Sequence, residues 1–182
     1  AKLSNLLVLP RFCLENYLIV PDELWAAFPT TRQDRITGGL AQLRTELLVE
    51  KDKWIRHGVL WSVINPLWSG LRALGFKEAL LDVTVAQDDN EIKRTLDEWH
   101  DYLEPQNIFD EFQRRLANVR QKSEFEQLSL WVHGKNFFRS HVHQVLNRLL
   151  DQSSIQDRRM NIFKALEPND LEPVWGKMGL TQ

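Results

Sequence analysis

Cysteine is almost absent: the 182 residues contain one, Cys13. That excludes an internal disulfide framework and a cysteine-based metal cluster, and it suits a reducing compartment, so a cytoplasmic location is expected. Net charge is nearly absent too, at −2. Composition therefore builds in no general attraction to nucleic acid, and any such binding has to come from a local patch. No apolar run approaches the roughly 18 to 20 residues that cross a bilayer, and Pro10 cuts the first run short of a signal peptide. No membrane partner is expected, and internal repeats, linkers and low-complexity tracts are missing as well.

What is present is the makeup of a folded protein: 43% hydrophobic and 26% charged residues, too apolar for a disordered chain. The length predicts one unit over residues 1–182. The chain opens at Ala1, and the strand-like run Leu6-Leu7-Val8-Leu9 follows almost at once. It is expected to be a fragment of something longer.

Hydrophobic spacing is mostly helical. Pro21-Asp22-Glu23 opens a short helix with Leu24, Trp25 and Phe28 on its apolar face before Pro29. From Thr31 to Trp68 the sequence reads as helix, interrupted at Gly38-Gly39 and at Gly58, with Pro66 placed to kink or end it. Phe76 to Val85 is a further apolar cluster. Asn90 reads as the N-cap of a helix through Leu103, and Pro105 begins another through Lys122 with Ile108, Phe109, Phe112, Leu116 and Val119 as its stripe. Residues 31–122 thus form a large helical insertion. Leu128, Leu130 and Val132 alternate with Ser129, Trp131 and His133, the period of a strand, before Gly134 and a helix carrying Phe137, Phe138, Val142, Val145, Leu146 and Leu149. Two more helices are predicted, from Ile155 to Ala165 and from Pro168 to Met178. The fold class is α+β, mainly α-helical, with a small sheet remnant from Leu6–Leu9 and Leu128–Val132.

Three local features carry candidate chemistry. Glu15 and Asn16 stand inside the apolar stretch "LPRFCLENYLIVPDELW", where an unpartnered carboxylate is costly. The His133-Gly134-Lys135 turn places an ammonium beside a helix N-terminus and suits a phosphate; the plainer alternative makes Gly134 a turn residue and Lys135 a solvated cation. It is not a phosphate-binding P-loop, because Ser129 stands where the first glycine would be and Asn136 replaces the magnesium-holding hydroxyl. Arg114, Arg115, Arg120 and Lys122 form a basic stretch, as do Arg158 and Arg159, which are either solvated faces or a phosphate track. His141 and His143, two apart, do not share a helix face for one metal.

"RFCLENYLIVPDELW" resembles the Arg-x-x-Ile-Glu-Asn-Tyr-Leu-Leu segment of Toprim-related domains attached to ABC-type or AAA ATPases, in the overcoming-lysogenization-defect nuclease group and its prokaryotic relatives. "WVHGKNFF" is similar to the Gly-Lys signal near the end of those domains. The resemblance covers residues 6 to 150. It implies a nucleic-acid-acting, nuclease-like domain of an ATPase-linked, phage-defence type of protein. Glu15 would be a metal carboxylate for Mg2+ or Mn2+, Lys135 a catalytic stabiliser of charge on the scissile phosphate, and Arg11 and Asn16 would position them. Arg11 and Lys135 would contact nucleic acid, and Arg114 and Arg115 of the basic stretch are the further candidates for that contact. The family's first acidic motif and its Asp-x-Asp would precede Leu6. This polypeptide is therefore expected to be inactive alone, without an ATP site, and to partner an N-terminal ATPase portion. The alternative is a non-enzymatic helical interaction or homodimerisation module in which Glu15 caps a turn or pairs with an arginine.

Overall fold

The computed structural model describes residues 9–73 and 88–172. They are mainly helical, with no strand among them. A 3-10 turn, Leu14–Leu18, leads into α1 (Pro21–Ala27), α2 (Thr30–Gln33), α3 (Gly39–Leu48) and α4 (Lys51–Ala73). Then come α5 (Asp89–Tyr102), α6 (Pro105–Arg120) and α7 (Glu124–Glu126), which runs into a π turn, Gln127–Trp131. Next, α8 (Gly134–Phe137) continues through a second π turn, Phe138–Val142, into α9 (His143–Leu149). The described chain ends with α10 (Ile155–Phe163) and a 3-10 turn, Asn169–Leu171.

Described residues up to Ile55 join those from Lys122 onward in one compact unit, and Arg56–Gln121 forms a second. The first unit buries Tyr17, Leu18, Ile19, Leu24, Leu43, Leu47, Phe137, Phe138, Val142 and Leu146. Its α1 packs on α3, and α8 on the Leu14–Leu18 turn. Pro21 sits in the first turn of α1 with Asp22 and Glu23 beside it, so a fixed φ and the helix dipole both favour a start there. Within the second unit, Phe112, Leu116 and Val119 of α6 are buried and Ile108 is half-buried, while Phe109 is 53% exposed, so the stripe read from the sequence loses Phe109 to solvent.

The strand expected at Leu128–Val132 is a correction. Residues 128–131 lie in the π turn Gln127–Trp131 that extends α7, and Val132 follows it as a single extended residue. Ser123 caps the helix, accepting from the Glu126 N–H at 3.2 Å while the Glu126 carboxylate accepts from the Ser123 N–H at 3.2 Å, a reciprocal box that commits the chain to helix before the alternation begins. The alternation is also not a face: Leu128, Ser129 and Val132 are all buried, and Leu130 is exposed. Of the other expected strand, Leu6–Val8 lie outside the described residues, and Leu9 has no regular structure.

Breaks in the long helix fall partly where expected. Gly39 adopts φ +59°, a left-handed conformation that favours glycine, and α3 begins there. Gly58 and Pro66 both lie inside α4, which neither ends; the interruption comes instead at Val49 and Glu50. Asp88, not Asn90, caps α5, its carboxylate accepting from the Asn90 N–H at 2.8 Å. The Phe76–Val85 cluster lies outside the described residues, as does most of the Pro168–Met178 helix, of which the Asn169–Leu171 turn is described.

Candidate functional site

The two segments that carry chemistry meet. At Leu14–Leu18 the chain turns tightly behind Cys13, and the side chain of Asn16 points back and across. Asn16 Oδ1 accepts from the Cys13 N–H at 3.0 Å and from its thiol at 2.9 Å. Asn16 Nδ2 donates to the carbonyls of Leu128 at 2.6 Å and Val132 at 2.9 Å. Those bonds explain the π turn. In an α-helix the Val132 N–H would occupy the Leu128 carbonyl; here it bonds to Gln127 O at 3.2 Å instead, one residue further back. The freed carbonyl is taken by Asn16, and the neighbouring Ser129 carbonyl by the Phe12 N–H at 2.9 Å. Asn16 is fully buried, so each of these bonds replaces water that is not there.

Gly134 completes the junction. A Cβ added to it would lie 2.6 Å from Asn16 Oδ1 and 2.7 Å from the Asn16 backbone nitrogen. Only a residue without a side chain permits this approach. Lys135 follows on the first turn of α8 with its side chain exposed. Burial pushes the Cys13 thiol up, while the backbone N–H groups of Lys135 and Glu15 oppose that shift and the Glu15 carboxylate adds to it.

Glu15 itself is 8% exposed. Its carboxylate accepts from Arg159 Nη2 of α10 at 2.7 Å, which answers how the sequence tolerates an acid in that stretch: an arginine offsets it. Arg11 is more completely engaged. Nε donates to Asp170 at 2.8 Å, Nη1 to Glu23 at 2.6 Å and to the Asn16 carbonyl at 3.2 Å, and Nη2 to Glu23 at 2.5 Å and Asp170 at 2.9 Å. Every N–H that a guanidinium possesses is used. Burial alone would lower the Arg11 pKa, but its hydrogen bonds to the Glu23 and Asp170 carboxylates outweigh it and hold the pKa above normal. The guanidinium also stacks over the Tyr17 ring at 4.0 Å. Burial, with Asp170 adding to it, pushes the Tyr17 hydroxyl up to about 12.

Arg114 and Arg115 belong to the Arg56–Gln121 unit. Arg114 grips Glu111 through Nε at 2.8 Å and Nη2 at 2.7 Å, and Arg115 Nε reaches the same carboxylate at 2.5 Å. Hydrogen bonds from both hold the Glu111 carboxyl below its usual range. Arg115 Nη1 also donates to the Ser62 carbonyl at 2.8 Å. The segments that carry Arg11, Glu15 and Asn16 and that carry Lys135 thus meet in the first unit through Asn16 and Gly134, and Arg114 and Arg115 lie in the other.

A divalent cation does not fit the residues present near Glu15. Among the described residues no three His, Cys, Asp or Glu side chains gather as a metal-holding group, and the Glu15 carboxylate is already neutralised by Arg159. Sequence reasoning missed Glu23, Asp170 and the pairing role of Arg159. The last two lie 159 and 144 residues from their partners, and no local pattern links charges so far apart. No protein-family model, curated protein or solved structure matches the chain.

Proposed function

We propose that the chain is the C-terminal portion of a Toprim-related domain in an ATPase-linked prokaryotic protein, acting on nucleic acid in a phage-defence role in the cytoplasm. Lys135 faces the phosphodiester and offsets its negative charge, with Glu15 beside it. The observation that supports this reading is the junction itself. The two segments on which the resemblance rests are far apart in sequence, and they meet through Asn16 and Gly134. Mg2+ or Mn2+ is the cation this reading implies. Glu15, held by Arg159, is not by itself a site for it, so the reading assigns the metal carboxylates to a strand motif preceding Leu6 and the ATP site to an N-terminal portion.

A second reading, a non-enzymatic interaction or dimerisation module, has its own support. Glu15 pairs with an arginine, and all the Arg11 donors are spent inside the protein. Apolar side chains also reach solvent in the Arg56–Gln121 unit, with Leu96 47% and Phe109 53% exposed.

Nuclease activity of the full-length gene product with Mg2+ or Mn2+, compared with its Lys135→Ala and Glu15→Gln versions, separates the two. Cutting that both substitutions abolish, with melting temperatures kept, is the expected result. No cutting, or cutting that ignores both, removes the nuclease reading; a concentration-dependent dimer in light scattering would then carry the second.

A further inference from the structure

From Gln127 to Leu150 the sequence holds no aspartate or glutamate, although the chain has 25 of them. This acid-free stretch contains the Gly134–Leu149 helical run, which buries Phe137, Phe138 and Val142 on one side. Its other side exposes Lys135, Asn136, Arg139 and Ser140. Lys135 and Arg139 are one helical turn apart, about 6 Å along the axis, so their cationic ends share a face.

Several other cations are engaged. In the same unit, Arg44 pairs with Asp22 and Glu124, Arg35 with Asp151, Arg148 with Glu46, and Arg159 with Glu15. Lys135 and Arg139 have no carboxylate at ion-pair distance among the described residues. A solvated decorative face would ordinarily interleave both signs, as α5 does with Arg94 set between Glu91 and Glu98. Here two exposed cations stand with an amide and a hydroxyl, and neither is paired to a carboxylate within 4.0 Å among the described residues.

We infer that Arg139 is a second phosphate-contacting residue, and that Lys135, Asn136, Arg139 and Ser140 form one strip along which a nucleic-acid backbone lies. This inference rests on the nucleic-acid reading above and adds to it the direction the strand takes, along the helical run from Lys135 toward Ser140. Arginine suits the task because its fork presents paired donors to phosphate oxygens, and side-chain amides and hydroxyls are common auxiliary donors.

The test is fluorescence anisotropy of a labelled DNA duplex with the full-length gene product over a salt series, comparing Arg139→Gln, Arg139→Lys and Lys135→Gln, each checked by circular dichroism. Each lost phosphate contact lowers the slope of log K against log salt by about 0.9 and weakens binding about eightfold at 0.1 M salt. Arg139→Gln is expected to show that loss, and Arg139→Lys to restore the slope. If Lys135→Gln lowers the slope and Arg139→Gln does not, the strip is wrong while the nucleic-acid reading survives. If the wild type does not bind, or neither glutamine variant changes the slope, both fall. A loss confined to Arg139→Gln overturns the shared strip.

Discussion

Replacing Gly134 by alanine tests the junction on which the functional reading depends. At an unremarkable helical site the change would stabilise the protein by about 0.4–1 kcal/mol, by restricting the unfolded chain. Gly134 is buried, and its new methyl would lie 2.6 Å from Asn16 Oδ1, 2.7 Å from the Asn16 nitrogen and 2.8 Å from Asn16 Cγ. One of those three atoms is backbone, so rotating a side chain cannot clear the clash. Overpacking of this kind costs about 1–3 kcal/mol. Moving Asn16 would also orphan a buried carbonyl at Leu128 or Val132, for about 1–3 kcal/mol more. Set against the entropic gain, the net loss is about 3 kcal/mol, which lowers a urea midpoint by roughly 1–2 M if the denaturant slope is unchanged. Urea unfolding followed by circular dichroism reads it. In an Asn16→Ala background two of the three close contacts vanish, so Gly134→Ala should cost at least about 1 kcal/mol less there. A Gly134→Ala protein as stable as the wild type, or more stable, would refute the close approach and with it the junction.

Arg11→Ala should destabilise by about 3–5 kcal/mol, because Glu23 and Asp170 lose a shared, desolvated partner; Arg11→Lys should recover only part of this, and thermal melts rank the three. Glu15→Gln should lower stability by no more than about 1 kcal/mol, since Arg159 retains solvent access, so a collapse of the melt would show a larger structural role for the pair. His143 is buried, and burial with the nearby Arg158 lowers its pKa from 6.5. The unfolded chain therefore binds a proton below pH 6.5 that the folded state refuses. The stability held above that pH is lost as pH falls toward the depressed folded value, with a slope of up to about 1.4 kcal/mol per pH unit. His143→Gln should flatten the pH dependence of the urea midpoint in that window, and an unchanged slope would exclude His143 as its source.

Local sequence determined the helices with strong local signals. Pro21 with Asp22 and Glu23 sets the start of α1, and Gly38-Gly39 sets the break before α3, because each acts through its own backbone or the first helical turn. The same holds for α7, where Ser123 and Glu126 form a cap legible in sequence that outranks the apolar alternation read as a strand. Alternation over so few residues is matched by chance when one helical side chain faces solvent, as Leu130 does. Sequence also singled out Glu15 and Asn16, as polar residues inside an apolar stretch, and Lys135, as the cation of a His-Gly-Lys turn.

Only tertiary structure decided what those residues touch. The partner of Glu15 is Arg159, the partners of Arg11 are Glu23 and Asp170, and Asn16 takes the Leu128 carbonyl left free by the π turn together with the Val132 carbonyl that follows it. Electrostatic pairing depends on distance in space, and a charge carries no mark of which distant opposite charge will neutralise it. Apolar periodicity fixed which helices form; the folding of α8 and α10 around one short 3-10 turn fixed which charges are spent inside and which, at Lys135 and Arg139, are left facing out.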